Sequence, residues 1–225
     1  MDDPAQAQAY AAANCAPAHD AFVAYFKEYF PAHPVNEVLD LGCGSADVGI
    51  RFARAFPACR VTGVDAAPAM LACAAQAVAA AGLPDRMHFV QAYLGATPSP
   101  ALAAHRYDTV ISNSLLHHLA APESLWTAIK NCAAASAAVW VMDLRRPPAP
   151  GAARALVAQY AHAEPPLFQR DFYNSLLAAY TVEEVAAQLA HAGLHEDLRV
   201  VAIGDRHWAV FGTLGTRTPR QIAPA

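Results

Sequence analysis

A short apolar segment, Glu37-Val38-Leu39-Asp40-Leu41, runs directly into Gly42-Cys43-Gly44, and this junction constrains the fold more than any other feature of the chain. Glycine reaches left-handed backbone angles without strain and carries no Cβ, so a turn built on it lets a ligand lie against main-chain atoms. A strand that enters such a turn and leaves it as a helix opens a βαβ unit, whose strands pair in parallel. The helix signal follows at once. Ser45 stands where it can cap the helix, and Ile50, Ala53 and Phe56 fall on one face. A second strand, Arg60 to Asp65, then ends in an acid about 20 residues beyond the glycines, where a carboxylate suits the hydroxyls of a ribose. Gly-x-Gly alone is a weak signal. The ordered series is specific.

The pattern continues down the chain. Pro68 opens an Ala-rich helix that Gly82 closes, and strands are expected at His88–Ala92, Tyr107–Ser112 and Ala137–Leu144, with a helix from Pro122 to Ala134. Strands alternating with helices at this spacing imply a parallel sheet covered on both faces. At Arg145 the alternation stops. Residues 145–180 are too long for an ordinary connection and read as a cap or lid. Thr181-Val-Glu-Glu184 is a capping box for a helix ending at Gly193. Two strands follow, Leu198–Ile203 and His207–Leu214, with Gly204-Asp205 available for a tight turn between them. Ahead of the first strand, Phe22, Tyr25, Phe26, Tyr29 and Phe30 recur at helical spacing over Ala16 to Phe30, and Pro31 and Pro34 end that helix.

Bulk properties narrow the function. Net charge is −4 and the only lysines are Lys27 and Lys130, so no basic stripe is present to displace counterions from phosphates. A small acceptor molecule is therefore expected, and neither a nucleic acid nor a membrane. No apolar run approaches the ~18 residues of a bilayer span, and the acidic start Met1-Asp2-Asp3-Pro4 lacks the basic-then-apolar order of a secretion signal. A cytoplasmic location is the expectation. The five cysteines stand singly, in an arrangement that suits neither disulfides nor zinc, and no metal site is expected.

The cofactor follows from charge. A dinucleotide fingerprint wants a third small residue where this chain has Asp47. A carboxylate there suits a cationic ligand better than a pyrophosphate. S-adenosylmethionine (AdoMet) carries an ammonium and a sulfonium and no phosphate, so it is favoured over NAD.

With these residues in view, the sequence resembles the class I AdoMet-dependent methyltransferases. The resemblance rests on Val38-Leu-Asp-Leu-Gly-Cys-Gly-Ser-Ala46, Val61-Thr-Gly-Val-Asp65-Ala-Ala-Pro-Ala-Met70 and Tyr107-Asp-Thr-Val-Ile-Ser-Asn-Ser-Leu-Leu-His-His-Leu119. Thr181 to Leu194 also looks like the family's helix before the final hairpin. It covers about residues 36–214. It implies a doubly wound α/β fold with a seven-stranded, mostly parallel sheet in the order 3-2-1-4-5-7-6, the seventh strand antiparallel, and a helical lid inserted after strand 5. Residues 1–215 would form one methyltransferase domain, with cap helices in 1–34, the lid in 145–180 and a flexible tail in 216–225. The resemblance places Gly42, Cys43 and Gly44 against the cofactor, Asp40 near its amino-acid part, Asp65 on the ribose, and Ala66 and Met70 beside the adenine. Gln91, Ala92 and Tyr93 would run along the other adenine edge. The acidic residue that many members carry near Ala92 is missing, which leaves Gln91 or a backbone carbonyl to meet the adenine amino group. Cys43 itself reads as a small loop filler and not a nucleophile. The product would be S-adenosylhomocysteine (SAH).

Chemistry is expected at the carboxyl ends of strands four and five, where ligands of open α/β sheets bind. Strand four supplies Ser112, Asn113, Ser114, His117 and His118 there, and strand five supplies Asp143, Arg145 and Arg146. Asn113 is followed by Ser-Leu-Leu, unlike the Pro-Pro-aromatic sequence of enzymes that methylate base amino groups. Methyl transfer is an in-line displacement for which alignment supplies much of the acceleration, but a hydroxyl or ammonium acceptor must also lose a proton to a base. His117, His118 and Tyr173 are the candidate catalytic groups, the histidines serving as bases or as packing. Tyr160, Arg170, Asn174 and Arg145 are the candidate acceptor contacts, Arg170 being either a grip on a carboxylate or surface charge beside Asp171. The reading is methyl transfer to a small molecule, by a monomer or homodimer. A catalytically silent subunit with the same fold and an NAD-dependent oxidoreductase are the alternatives.

Overall fold

The structure, a computed structural model, describes residues 16–95, 102 and 104–215. The expectations for the first residues of the N-terminal cap and for the tail at 216–225 lie outside the described residues. Seven strands form one sheet in the order β3-β2-β1-β4-β5-β7-β6. These are β1 (Glu37–Leu41), β2 (Arg60–Asp65), β3 (Met87–Gln91), β4 (Tyr107–Asn113), β5 (Ala133–Leu144), β6 (Leu198–Ile203) and β7 (His207–Thr213). β1 to β5 pair in parallel, whereas β7 runs antiparallel between β5 and β6. The order reverses between β1 and β4, which opens the crevice where such sheets receive ligands.

Helices cover both faces. On one lie α1 (Ala16–Tyr29), α2 (Asp47–Ala55) and α3 (Pro68–Ala80), and on the other α4 (Glu123–Cys132) and α7 (Val182–His191). The aromatic spacing of the first helix has a clear outcome: Phe22 and Phe26 are fully buried, Phe22 edge-on to Trp140 and Phe26 edge-on to Phe52. Burying a side chain of that size stabilises the fold by about 1.5–3 kcal/mol, so α1 is fixed to the sheet by its aromatic face. α7 starts with the expected capping box, in which Glu184 N donates to Thr181 Oγ1 at 3.3 Å and Thr181 N donates to Glu184 Oε2 at 2.8 Å. Trp126 Nε1 donates to Gln188 Oε1 at 2.9 Å and ties α4 to α7.

The long segment after β5 folds as two helices, α5 (Pro150–Tyr160) and α6 (Pro166–Ala178), each opened by proline in its first turn. They share a small apolar cluster of their own, in which Ala153, Leu176 and Ala179 pack against Leu144 at the end of β5. One boundary differs from expectation: β5 begins at Ala133, with Ser136 in a left-handed kink where its N–H bonds Leu214 O. An Ala-rich stretch gives no periodic cue to such a kink. Among the described residues no helix is long and apolar enough to cross a membrane.

Candidate active site

The glycine turn is shaped by its backbone angles. Gly42 and Gly44 have φ of 73° and 53°, and the N–H groups of Gly42 and Cys43 both donate to Val64 O at 2.8 and 3.0 Å. A Cβ on Gly42 would come within 2.6 Å of Leu115 Cδ1, so glycine is required there by both angle and space. Asp65 braces the turn: Oδ2 accepts from Gly44 N at 3.0 Å and Oδ1 from Ala67 N at 2.9 Å. Each carboxylate oxygen keeps a second acceptor direction for a ligand hydroxyl. Met70 flanks Gly44, its Cε 3.6 Å from where a Cβ would stand. On the β3 side, Ala92 N donates to Asp65 O at 3.0 Å and Gln91 Nε2 to Ala66 O at 3.3 Å, while Tyr93 is 74% exposed.

Two residues, Ser45 and Asp47, differ from the sequence reading. Ser45 does not cap α2. Ala46 holds that position with φ 66°, and no side chain caps the helix, so its first-turn N–H groups are left to the loop. Asp47 is engaged by the protein's own side chains, with Oδ2 2.5 Å from His19 Nδ1 on α1 and 3.0 Å from Arg51 Nε. The bond from His19 is the main reason its carboxyl is held down at about 2, and Arg51 adds to it. Its charge is thus engaged inside the protein, and the inference from Asp47 to a cationic ligand falls. Asp40 lies beneath the loop at 2% exposure, its Oδ2 sealed without a partner and directed at Gly49 of α2, where a Cβ would stand 3.1 Å away. Burial first and Asp65 second push its carboxyl up to about 7. Cys43 Sγ fills the space that Gly63 leaves open, and burial, Asp40 and Asp65 all disfavour its thiolate. It is a filler, as its sequence context suggests.

Beyond β4 the chain passes through Asn113 and a left-handed Ser114 (φ 55°), whose N–H bonds Met142 O at 2.9 Å. A non-glycine residue at such an angle stores strain of about 1–3 kcal/mol, a cost tolerated where geometry serves a site. A 3-10 turn, Leu116–His118, follows. There His117 Nδ1 meets Asp143 Oδ1 at 2.6 Å, and His117 N donates to Asp143 Oδ2 at 3.2 Å. The two side chains are 3% and 1% exposed. With Nδ1–H donated to the carboxylate, the neutral imidazole presents its lone pair at Nε2. The His118 ring lies 4.0 Å from that of His117, with an edge open to solvent. The protein around it, and then His117, lower its basicity. His207, at the start of β7, is half-buried and held down at about 4, chiefly by burial and then by Arg206. Among the described residues no group of three or more His, Cys, Asp or Glu is arranged to hold a metal ion.

Comparison with known proteins settles the class. Residues 38–137, from the middle of β1 into β5 and including the glycine turn, Asp65 and the His117 turn, match the family model described as a methyltransferase domain. Over that stretch the chain is similar to the methyltransferase-domain family. No curated protein sequence matches it. Among solved structures, an S-adenosylmethionine (SAM)-dependent methyltransferase from Aquifex aeolicus is 17% identical with a TM-score of 0.66, over 95% of this chain and 99% of that one. An O-methyltransferase family protein from Burkholderia thailandensis is 17% identical with a TM-score of 0.60, over 87% of this chain and 57% of that one. The plantazolicin methyltransferase BpumL, solved with SAH, is 15% identical with a TM-score of 0.64, over 87% and 82%. At these identities the likeness is one of fold. Family and fold make the cofactor S-adenosylmethionine and the activity methyl transfer, which leaves no place for the NAD-dependent alternative.

The residues of this methyltransferase expected to contact the acceptor are dispersed. Tyr160 is anchored to the β6–β7 turn: its hydroxyl donates to Asp205 Oδ2 at 2.6 Å and Arg206 stacks on its ring at 3.4 Å. Arg145 Nη2 donates to Asp205 O in the same turn at 3.1 Å. Tyr173 is kept within the inserted pair, its hydroxyl 3.4 Å from Arg154 Nη1, and joins neither histidine. Arg170 is exposed and pairs with its neighbour Asp171 at 3.2 Å, the surface-charge alternative, and Asn174 is exposed. Two groups in the cluster had not been singled out, His19 and His207. The signal for His207 was its place as first residue of a strand running against β5. Asp143 stood at the mouth in the sequence reading, and its pairing with His117 became visible only in three dimensions.

Proposed function

We propose that this methyltransferase methylates a hydroxyl oxygen of a small molecule, with His117 as the base and Asp143 holding it in place. The observation that carries the reading is the buried His117–Asp143 pair at the carboxyl ends of β4 and β5, one turn beyond Leu115, which sits on Gly42. An O-methyltransferase family protein from Burkholderia thailandensis shares the fold, which is consistent with an oxygen acceptor.

When bound, S-adenosylmethionine supplies an electrophilic methyl group on a sulfonium. The residues that fit it are Gly42 and Gly44 for close backbone approach, Asp65 for the ribose hydroxyls, and Ala66, Met70, Gln91 and Ala92 around the adenine. Asp40, with its sealed unpartnered Oδ2, lies under the amino-acid end, and Asn113 stands at the crevice mouth. His117 Nε2 takes the proton that the acceptor hydroxyl loses as its oxygen bonds the methyl carbon. Asp143 then faces an imidazolium and stabilises it, the role of a buried carboxylate behind a catalytic histidine. The inserted pair acts as a lid, since α6 packs against the turn that carries His117 and His118 and helps exclude water from it. The intact dyad speaks against a silent subunit. A small acceptor remains the reading from charge.

The test is transfer of labelled methyl from AdoMet to a panel of small phenols and alcohols, using wild type, His117→Gln and Asp143→Asn. Base catalysis is worth about 10²–10⁴ in rate, so both variants should lose that much while SAH affinity holds. Undiminished transfer by His117→Gln would remove the assigned base.

A further inference from the structure

We propose that His207 is a second acceptor-positioning residue, and that the acceptor is an uncharged molecule bearing a further hydroxyl or carbonyl beside the oxygen that is methylated. The inference rests on the reading of His117 as the base and extends it to the substrate class.

The topology brings His207 to the site. β7 runs against β5, so its first residue stands at the end where β5 finishes: His207 pairs with Leu144, one step beyond the Asp143–Trp208 pair. Paired residues share a face. Trp208 is buried on the α4–α7 face, so His207 turns to the face that carries α1, where Ala209 and Phe211 pack with Trp140. It therefore approaches the carboxyl end of β5 from the side opposite the 3-10 turn. Asp143 and His19 both lie close enough to act on its charge, the first favouring protonation and the second opposing it.

Its ring is unfinished. His207 is half-buried, its side chain has no hydrogen-bond partner among the described residues, and neither ring nitrogen is sealed from solvent. Both nitrogens therefore stand open, at the ligand end of a doubly wound sheet, to an atom of the acceptor. Burial and Arg206 keep the ring neutral at physiological pH, so it offers one donor and one acceptor. That pair of functions complements a hydroxyl or carbonyl. It gives a carboxylate no cation.

The experiment uses the full-length protein saturated with SAH, titrated with phenol, catechol and benzoate and followed by the Cε1–H resonances of its histidines. Catechol should bind about tenfold more tightly than phenol, His207→Phe should erase that ratio while leaving phenol unchanged, and His207→Gln should keep part of it. Equal binding of phenol and catechol by wild type, a preference that survives in His207→Phe, tighter binding of benzoate, or binding of none of the three would each overturn the proposal. The underlying reading fails separately, through methyl transfer that survives His117→Gln.

Discussion

Replacing Asp65 tests the cofactor site most directly, because its carboxylate has two duties. Inside the protein it accepts from Gly44 N at 3.0 Å and Ala67 N at 2.9 Å, so it sets the shape of the glycine turn before any ligand arrives. In the proposed complex its remaining acceptor directions would take the ribose hydroxyls. Hydrogen bonds to a charged group contribute about 1.5–3 kcal/mol each, and Asp65 is part-exposed, which favours the low end. Two ribose bonds then amount to about 3 kcal/mol, and a slackened turn adds up to about 1 more. At 1.4 kcal/mol per decade, Asp65→Ala should weaken SAH binding roughly 10²- to 10³-fold. Asp65→Asn keeps an acceptor for one loop amide but turns an NH₂ toward the other donor, and should fall between, near tenfold. Isothermal titration measures both, with circular dichroism to show that the sheet persists. Affinity for Asp65→Ala within threefold of wild type would refute both duties.

Asp40 predicts a pH effect on stability. Its carboxyl is raised from 3.8 to about 7 in the folded protein, so between about pH 4 and 7 the native state holds a proton that the unfolded chain has released. Stability should therefore fall as pH rises through that window, by up to about 4 kcal/mol, and Asp40→Asn should flatten the slope in urea titrations at pH 5 and 8. A variant that keeps the wild-type slope would show that the proton resides elsewhere. Tyr160→Phe removes the bond to Asp205, an exposed contact worth about 1 kcal/mol or less, so amide exchange in α5 should quicken while the global unfolding midpoint stays in place. Unchanged exchange would mean that stacking on Arg206 alone holds the helix.

The architecture was legible wherever local chemistry decides the backbone. The strand into Gly42 and Gly44, the capping box at Thr181 and Glu184, and the turn at Gly204 each carry their own signal in neighbouring residues. Residues whose role depends on a partner far along the chain were not legible. Asp47 was assigned a cationic ligand because His19, which meets it from α1, is 28 positions away. Tyr173 was a candidate base because nothing in its surroundings announces Arg154 on the preceding helix. His117 and Asp143 were both placed at the mouth, and only the fold brings them to 2.6 Å. Ala46 shows a local limit as well: alanine rarely takes left-handed angles, so the unassisted start of α2 has no sequence cue.

The inserted helices keep their apolar contacts largely to themselves, touching the strands through Leu144, and the latch of Tyr160 on Asp205 and Arg206 is a surface one. The glycine turn and Asp65 draw nothing from that cluster. Substitutions that reshape α5 thus leave the glycine turn and Asp65 beneath intact, and a new clientele can be recruited by altering that part of the canopy alone.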